Sequence, residues 1–163
     1  MDRNFSRRGL LRACAAAAVA GLAPVSAWAR AAGQRFEISH SPAEWRRRLG
    51  PERYAILREA HTERPWSSPL NKEKRRGLFL CAGCDLPLFS SATKFESGTG
   101  WPSFYAPLRS TVGTSIDRSL GMSRVEVHCR RCGGHLGHVF NDGPKPTGKR
   151  YCINGLALRF RPA

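Results

Sequence analysis

Leu78-Phe79-Leu80-Cys81-Ala82-Gly83-Cys84-Asp85-Leu86-Pro87-Leu88 and Val125-Glu126-Val127-His128-Cys129-Arg130-Arg131-Cys132-Gly133-Gly134-His135-Leu136 share one outline. In each, a short apolar strand runs into a CxxC turn, and an apolar residue follows the second cysteine by four positions. A CxxC segment bends the chain once so that both sulfurs face one ion, and two such pairs supply the ligands of a tetrahedral structural zinc site. Residues 85–128 separate the pairs, too long a gap for a compact zinc ribbon, so one zinc ion held by Cys81, Cys84, Cys129 and Cys132 staples distant parts of a domain. A disulfide inside each CxxC is the competing redox reading, and two pairs together favour the metal.

Upstream of this frame the pattern is helical and short. Ser41-Pro42-Ala43-Glu44 is a capping box with proline at the first helical position, and Trp45 and Leu49 fall four apart on one face. Gly50-Pro51 ends that helix and starts a second, whose apolar side comes from Tyr54, Leu57 and Ile56 and runs to about His61. Thr62 to Arg76, with Pro65 and Pro69, reads as a long ordered connection, and from Gly77 onward the pattern turns to strands.

The N-terminus carries a different signal. Ser6-Arg7-Arg8-Gly9-Leu10-Leu11-Arg12, an alanine-rich apolar run from Ala13 to Ala23, and the small-residue site Ala27-Trp28-Ala29 match a twin-arginine export signal over residues 1–29, cleaved after Ala29. The alternative is an arginine-rich helix that stays attached. Residues 30–38 then form a short linker, and 39–163 form a single domain, the size expected of one core. The apolar run is too short for a stable membrane span. Export by this route places the protein in the periplasm and suits a chain that folds around zinc before crossing. The formal net charge of +15 is spread along the chain, so a solvated basic surface is favoured over a nucleic-acid site.

Cys14 leaves with the signal, and zinc claims four of the five other cysteines, so Cys152 in Arg150-Tyr151-Cys152-Ile153-Asn154 is the odd one. An unpaired thiol in an oxidising compartment is a candidate for chemistry, although a buried structural cysteine is the bland alternative. If Tyr151 to Phe160 is one strand, Cys152 and Asn154 point the same way and Leu156, Leu158 and Phe160 continue that face into the core. Arg150 shares that face, and a cation there favours the thiolate. His135-Leu136-Gly137-His138 lies in a glycine-rich loop. Spacing alone allows a two-cysteine, two-histidine site with Cys129 and Cys132, but this would orphan Cys81 and Cys84. The pair is better used as proton donors near a reacting group.

Cys81-Ala82-Gly83-Cys84, Lys94-Phe95-Glu96-Ser97-Gly98-Thr99-Gly100-Trp101-Pro102-Ser103-Phe104, the run from Cys132 to Pro144 and Arg150-Tyr151-Cys152-Ile153-Asn154 resemble methionine-R-sulfoxide reductase B. The similarity extends from about Ser39 to Phe160. The resemblance implies a compact, mainly antiparallel β fold with short helices at its N-terminal edge and a zinc site remote from the nucleophile. It implies that Cys152 attacks the sulfur of methionine-(R)-sulfoxide, free or in oxidised proteins, while His138, assisted by His135, protonates the departing oxygen. Trp101 would wall the pocket for the substrate's ε-methyl with Phe140 beside it. Asn154 and Arg150 would orient and polarise the site, and Asp142 would fix the histidine loop.

One departure from the family stands out. Many members carry a resolving cysteine where this chain has Thr99, and zinc would hold the other cysteines. The sulfenic acid left on Cys152 would then be reduced by an external dithiol protein of thioredoxin type or by a small thiol. The competing class is a non-enzymatic exported zinc module for an anionic partner, which leaves the Cys152 motif unexplained. A cysteine hydrolase using Cys152 and His138 is a third, with no oxyanion-hole motif in evidence.

Overall fold

β-Branched and apolar residues alternating with polar ones drive Arg124–Cys129 into a strand, and the antiparallel runs on either side of it complete a sheet. A computed structural model describes residues 35–163. The expected signal segment 1–29 and most of the expected linker therefore lie outside the described residues. In chain order the strands are β1 (Gly77–Cys81), β2 (Pro87–Ser90), β3 (Lys94–Phe95), β4 (Ser103–Phe104), β5 (Val112–Asp117), β6 (Arg124–Cys129), β7 (His135–Phe140), β8 (Arg150–Ile153) and β9 (Leu158–Pro162). They form a six-stranded sheet, in order β3-β4-β8-β7-β6-β5, and a three-stranded sheet, in order β2-β1-β9. All pairings are antiparallel, as the family resemblance implied.

Aromatic side chains join the sheets. Phe104 of β4 stacks on Phe89 of β2 at 4.4 Å between ring centroids and meets Phe79 of β1 edge-on at 4.9 Å. All three rings are fully buried, with Leu88, Leu136 and Ile153 among their neighbours in the core. Helix α1 (Pro42–Glu59) covers this core with Trp45, Tyr54, Ile56 and Leu57. Ser41 Oγ accepts from the Glu44 amide at 3.2 Å, so the cap forms as read from the sequence. The helix is interrupted where Gly50-Pro51 was expected to divide it, because Gly50 adopts φ +71°. The connection after it contains one short 3-10 turn, Pro69–Lys72.

The stretch Tyr151–Phe160 is not one strand, which corrects the sequence reading. β8 stops at Ile153, a 3-10 turn spans Gly155–Ala157, and β9 pairs with β1 in the other sheet. The turn is held because the buried Glu63 carboxylate accepts from the Gly155 and Leu156 amides at 2.6 and 2.9 Å. Alternation along the sequence cannot reveal that a distant glutamate captures two amides and ends a strand.

Candidate active site and metal centre

The two CxxC turns repeat each other in hydrogen bonds as well as in sequence. The Cys81 amide donates to Leu86 O at 2.9 Å and Asp85 N–H returns to Cys81 O at 2.8 Å. The Cys129 amide likewise donates to Gly134 O at 2.9 Å and Gly133 N–H returns to Cys129 O at 2.9 Å. Each turn closes with a left-handed residue after its second cysteine, Asp85 at φ +57° and Gly133 at φ +68°. One turn extends β1 and the other extends β6, so the cluster ties the two sheets together.

The four sulfurs lie within 4.8 Å of one another, with Cys81–Cys132 at 3.7 Å and Cys84–Cys129 at 3.5 Å. A tetrahedron of thiolates around zinc at ~2.3 Å has sulfurs about 3.8 Å apart, so the donor set and its spacing fit such an ion. Hydrogen bonds with Cys129 and its other sulfur neighbours, together with burial, push the Cys81 thiol well up. A dication removes that conflict by accepting all four as thiolates. Beside the cluster, Arg58 donates to the Cys132 carbonyl at 2.9 Å and lies over the Trp45 ring. These four are the metal-capable cluster among the described residues, and His135 and His138 take no part in it.

The reacting-thiol candidate stands elsewhere on the sheet. Directly opposed residues of antiparallel strands present their side chains on the same face. Reading the register across the sheet gives one row, Ser103 of β4, Cys152 of β8, His138 of β7, Glu126 of β6 and Ser115 of β5. A second row alongside contains Arg150, Phe140, Arg124 and Asp117. Gly137 lets β7 approach β8 here, because any Cβ on it would strike the Cys152 carbonyl. Along β6, Cys129 is three residues beyond Glu126, so the metal centre lies about 10 Å along the strand and about 10 Å across it from Cys152.

Two carboxylate–histidine pairs occupy the rows. His138 Nε2 and Asp117 Oδ2 are 2.8 Å apart, and Arg124 donates to the same oxygen at 2.8 Å. His135 Nδ1 and Glu126 Oε1 are 2.7 Å apart, and Ser115 donates to Glu126. Burial works against the Asp117 and Glu126 carboxylates, yet their hydrogen bonds win: Asp117 is held far below the usual carboxylate range and Glu126 at about 2. Burial in turn lowers His138, against the pull of Asp117. The two imidazoles are 5.5 Å apart, and His135 Nε2 is buried without a protein hydrogen-bond partner.

Arg150 shares the face of Cys152, as expected from the sequence, but it does not dominate the thiol. Burial raises Cys152 above the ordinary cysteine value, and Thr99 and Arg150 only partly offset this. Arg150 is committed to a two-point pair with Asp142, at 2.9 and 2.8 Å, and its guanidinium lies 4.4 Å from the Phe140 ring centroid. Asp142 therefore anchors Arg150 rather than the histidines, and the histidines sit in strand β7 rather than in a loop. Trp101 donates from Nε1 to Glu63 O at 3.1 Å. Asn154 lies past the end of β8, not beside the thiol along a continuing strand. Its Oδ1 accepts from the Glu63 amide at 3.0 Å and its Nδ2 donates to Leu136 O at 3.1 Å.

Asp117, Glu126 and Glu63 were not singled out from the sequence. Asp117 ends a strand that no motif marked, and Glu126 looked like an ordinary polar position of an alternating strand.

A family model described as the SelR domain matches residues 49–162. The chain belongs to the methionine-R-sulfoxide reductase B family. Among its relatives, a Leptospira interrogans protein named peptide methionine sulfoxide reductase MsrB is 51% identical over 127 residues, 77% of this chain and 97% of the relative. Proteins of the same name from Agrobacterium fabrum and Methanosarcina barkeri are 52% and 55% identical over 127 and 125 residues. These matches cover 77% and 76% of this chain and 94% and 88% of the relatives. The family's motifs fall on both parts of the fold described above, the sulfur cluster and the face that carries Cys152.

Proposed function

We propose that this protein reduces methionine-(R)-sulfoxide, in oxidised peptides or free, to methionine, with Cys152 as nucleophile. The observation that carries the reading is the row in which Cys152 stands opposite His138, itself tied to Asp117. The thiolate attacks the sulfoxide sulfur while His138 delivers a proton to the oxygen, and Asp117 stabilises the imidazolium that precedes that delivery. Attack forms a bond between Cys152 Sγ and the substrate sulfur; the protonated oxygen then passes to Cys152 Sγ as the S–O bond and that S–S bond both break, and methionine departs. Cys152 thiol and sulfoxide thus become Cys152 sulfenic acid and thioether.

His135, held by Glu126 through Nδ1, packs edge-on to the His138 ring at 5.5 Å between centroids and assists it. Trp101, kept in place by Glu63 O, and Phe140, under Arg150, form apolar walls for the ε-methyl. Asn154 supports the site from below by tying Glu63 to β7. Two external thiols then reduce the sulfenic acid to thiol and water, giving their disulfide. A thioredoxin-like protein or a small thiol fills this role because Thr99 replaces a resolving cysteine.

Zinc is the ion proposed for Cys81, Cys84, Cys129 and Cys132, where it supplies cross-linking rather than chemistry. Export through residues 1–29 to the periplasm follows from the twin-arginine pattern, and no helix among the described residues is long and apolar enough to cross a membrane. The deciding experiment offers separated R and S diastereomers to wild type and Cys152→Ser. R-selective turnover that disappears in the variant is expected; S preference, or undiminished turnover in the variant, would overturn the assignment.

A further inference from the structure

The partner of the Cys152 thiol on its β4 side is a chain of hydroxyls. Thr99 Oγ1 is 3.8 Å from Cys152 Sγ, Ser97 Oγ is 2.8 Å from Thr99 Oγ1, and Ser103 Oγ is 2.7 Å from Ser97 Oγ. The chain ends on a pure acceptor, since Ser103 donates to the Trp101 carbonyl at 3.1 Å. Each hydroxyl has one proton, so this end fixes the direction of the rest. Ser103 spends its proton on Trp101 O, Ser97 must donate to Ser103, and Thr99 donates to Ser97. Thr99 Oγ1 is then an acceptor facing a thiol that can donate.

Ionisation of the thiol asks for the opposite polarity at Thr99. Its O–H turns about Cβ–Oγ towards the sulfur, and only the 2.8 Å Thr99–Ser97 contact, left without a proton between its oxygens, has to relax. Ser97 gives up the hydroxyl bond from Thr99 but keeps the Thr99 amide, whose N–H points at Ser97 Oγ at 3.4 Å. Ser97 and Ser103 keep their donors where they were. One rotor therefore serves both protonation states, exchanging its bond to Ser97 for one to the thiolate, and no proton travels along the hydroxyls.

We propose that Thr99, anchored by Ser97 and Ser103, is a catalytic residue of this protein: a two-way hydrogen-bond partner that accepts from the Cys152 thiol and donates to the thiolate. The inference rests on Cys152 being the reacting thiol. Ser97 and Ser103 are positioning residues, and through Trp101 O they couple the thiol to the loop that carries the Trp101 wall. The proton released on ionisation leaves through the exposed part of Cys152 to solvent.

The other groups facing the sulfur do not duplicate this role. Arg150, on the same strand, is a fixed donor shared with Asp142, whose negative charge opposes ionisation. From β7 comes His138, engaged by Asp117, with His135 and Glu126 beyond it. Thr99 and Arg150 both favour the thiolate against burial.

The test reads the thiol directly and needs no sulfoxide. Full-length, zinc-loaded protein is alkylated with iodoacetamide across a pH series, and the Cys152 peptide is quantified by mass spectrometry. Thr99→Val, which keeps the shape and removes the hydroxyl, is expected to move the alkylation midpoint up by about one pH unit, a tenfold loss of thiolate below the midpoint. Thr99→Ser should match wild type, and Ser97→Ala should shift upward by less. A Thr99→Val midpoint within about 0.2 unit of wild type, or an unrestored Thr99→Ser, would overturn the proposal. If Thr99→Val does not fold, an unshifted Ser97→Ala does so instead. Failure of wild type to reduce the R sulfoxide would sink the proposed function and leave the alkylation result standing.

Discussion

Cysteine does opposite work in two regions of this molecule. At the metal centre, four sulfurs within 4.8 Å of one another are placed by two local turns of nearly identical hydrogen bonding. At Cys152, one partly buried sulfur is surrounded by side chains from the loop before β4, from β4, β7 and β8, and, one shell out, from β5 and β6. A ligand cluster needs only two short loops and the contact between two sheets. A reacting thiol needs groups of different chemistry from many elements, which only the register of a sheet brings into line.

The sharpest way to break this comparison is to exchange the two kinds of loss. Cys132→Ala, or removal of the metal by a strong chelator, should abolish the cooperative thermal transition followed by circular dichroism. Structural tetrathiolate zinc contributes on the order of 10 kcal/mol, as much as a whole domain's net stability. Cys152→Ser should leave the transition and the metal content close to wild type while turnover of the R sulfoxide falls at least ~10³-fold. Retention of a normal melt after metal removal would deny the cluster its stapling role.

Within the active face, His138→Ala should lower kcat by about 10²- to 10⁴-fold, the range for losing a general acid. Asp117→Asn, which keeps the shape but not the charge, should cost about tenfold and change the pH profile of kcat. Equal kcat in His138→Ala and wild type would remove the histidine from the mechanism.

A smaller effect separates support from chemistry. Glu63→Gln weakens the capture of the Gly155 and Leu156 amides and should reduce stability by about 1–3 kcal/mol in denaturant melts. Its KM should rise more than its kcat falls, because Trp101 hangs from the Glu63 carbonyl.

The smallest effect is on acid stability. Glu126 is held at about 2 against an ordinary 4.5, so the unfolded chain binds the proton more readily. Its contribution is present above about pH 4.5 and lost as pH falls through about 2. Glu126→Gln should therefore flatten the acid limb of a stability–pH curve, and an unchanged limb would show that the His135 pair is not maintained in solution.

The four clustered cysteines, Cys152 and the two histidines stood out in the sequence because each is a rare residue in a short, spaced motif. The helix cap at Ser41 and the break at Gly50-Pro51 were legible for a related reason, since both act within one turn of chain. Asn154 shows where that legibility ends. Alternation placed its amide beside the thiol, whereas Glu63, far away in sequence, terminates β8 and draws Asn154 into a buried brace. Arg150 shows the same limit in electrostatics: its charge was visible, but burial of Cys152 and pairing with Asp142 decide how much of that charge the thiol feels.

By itself the sequence determined which residues are candidates for chemistry, because CxxC turns and the Cys152 motif encode their geometry within a few bonds. Tertiary structure alone decided which groups meet them. Asp117 at His138, Glu126 at His135 and the Ser103–Ser97–Thr99 chain at Cys152 arise from strand register and loop packing. Those are set by burial of the aromatic core between the sheets, an energy that belongs to the whole fold and to no single stretch of chain.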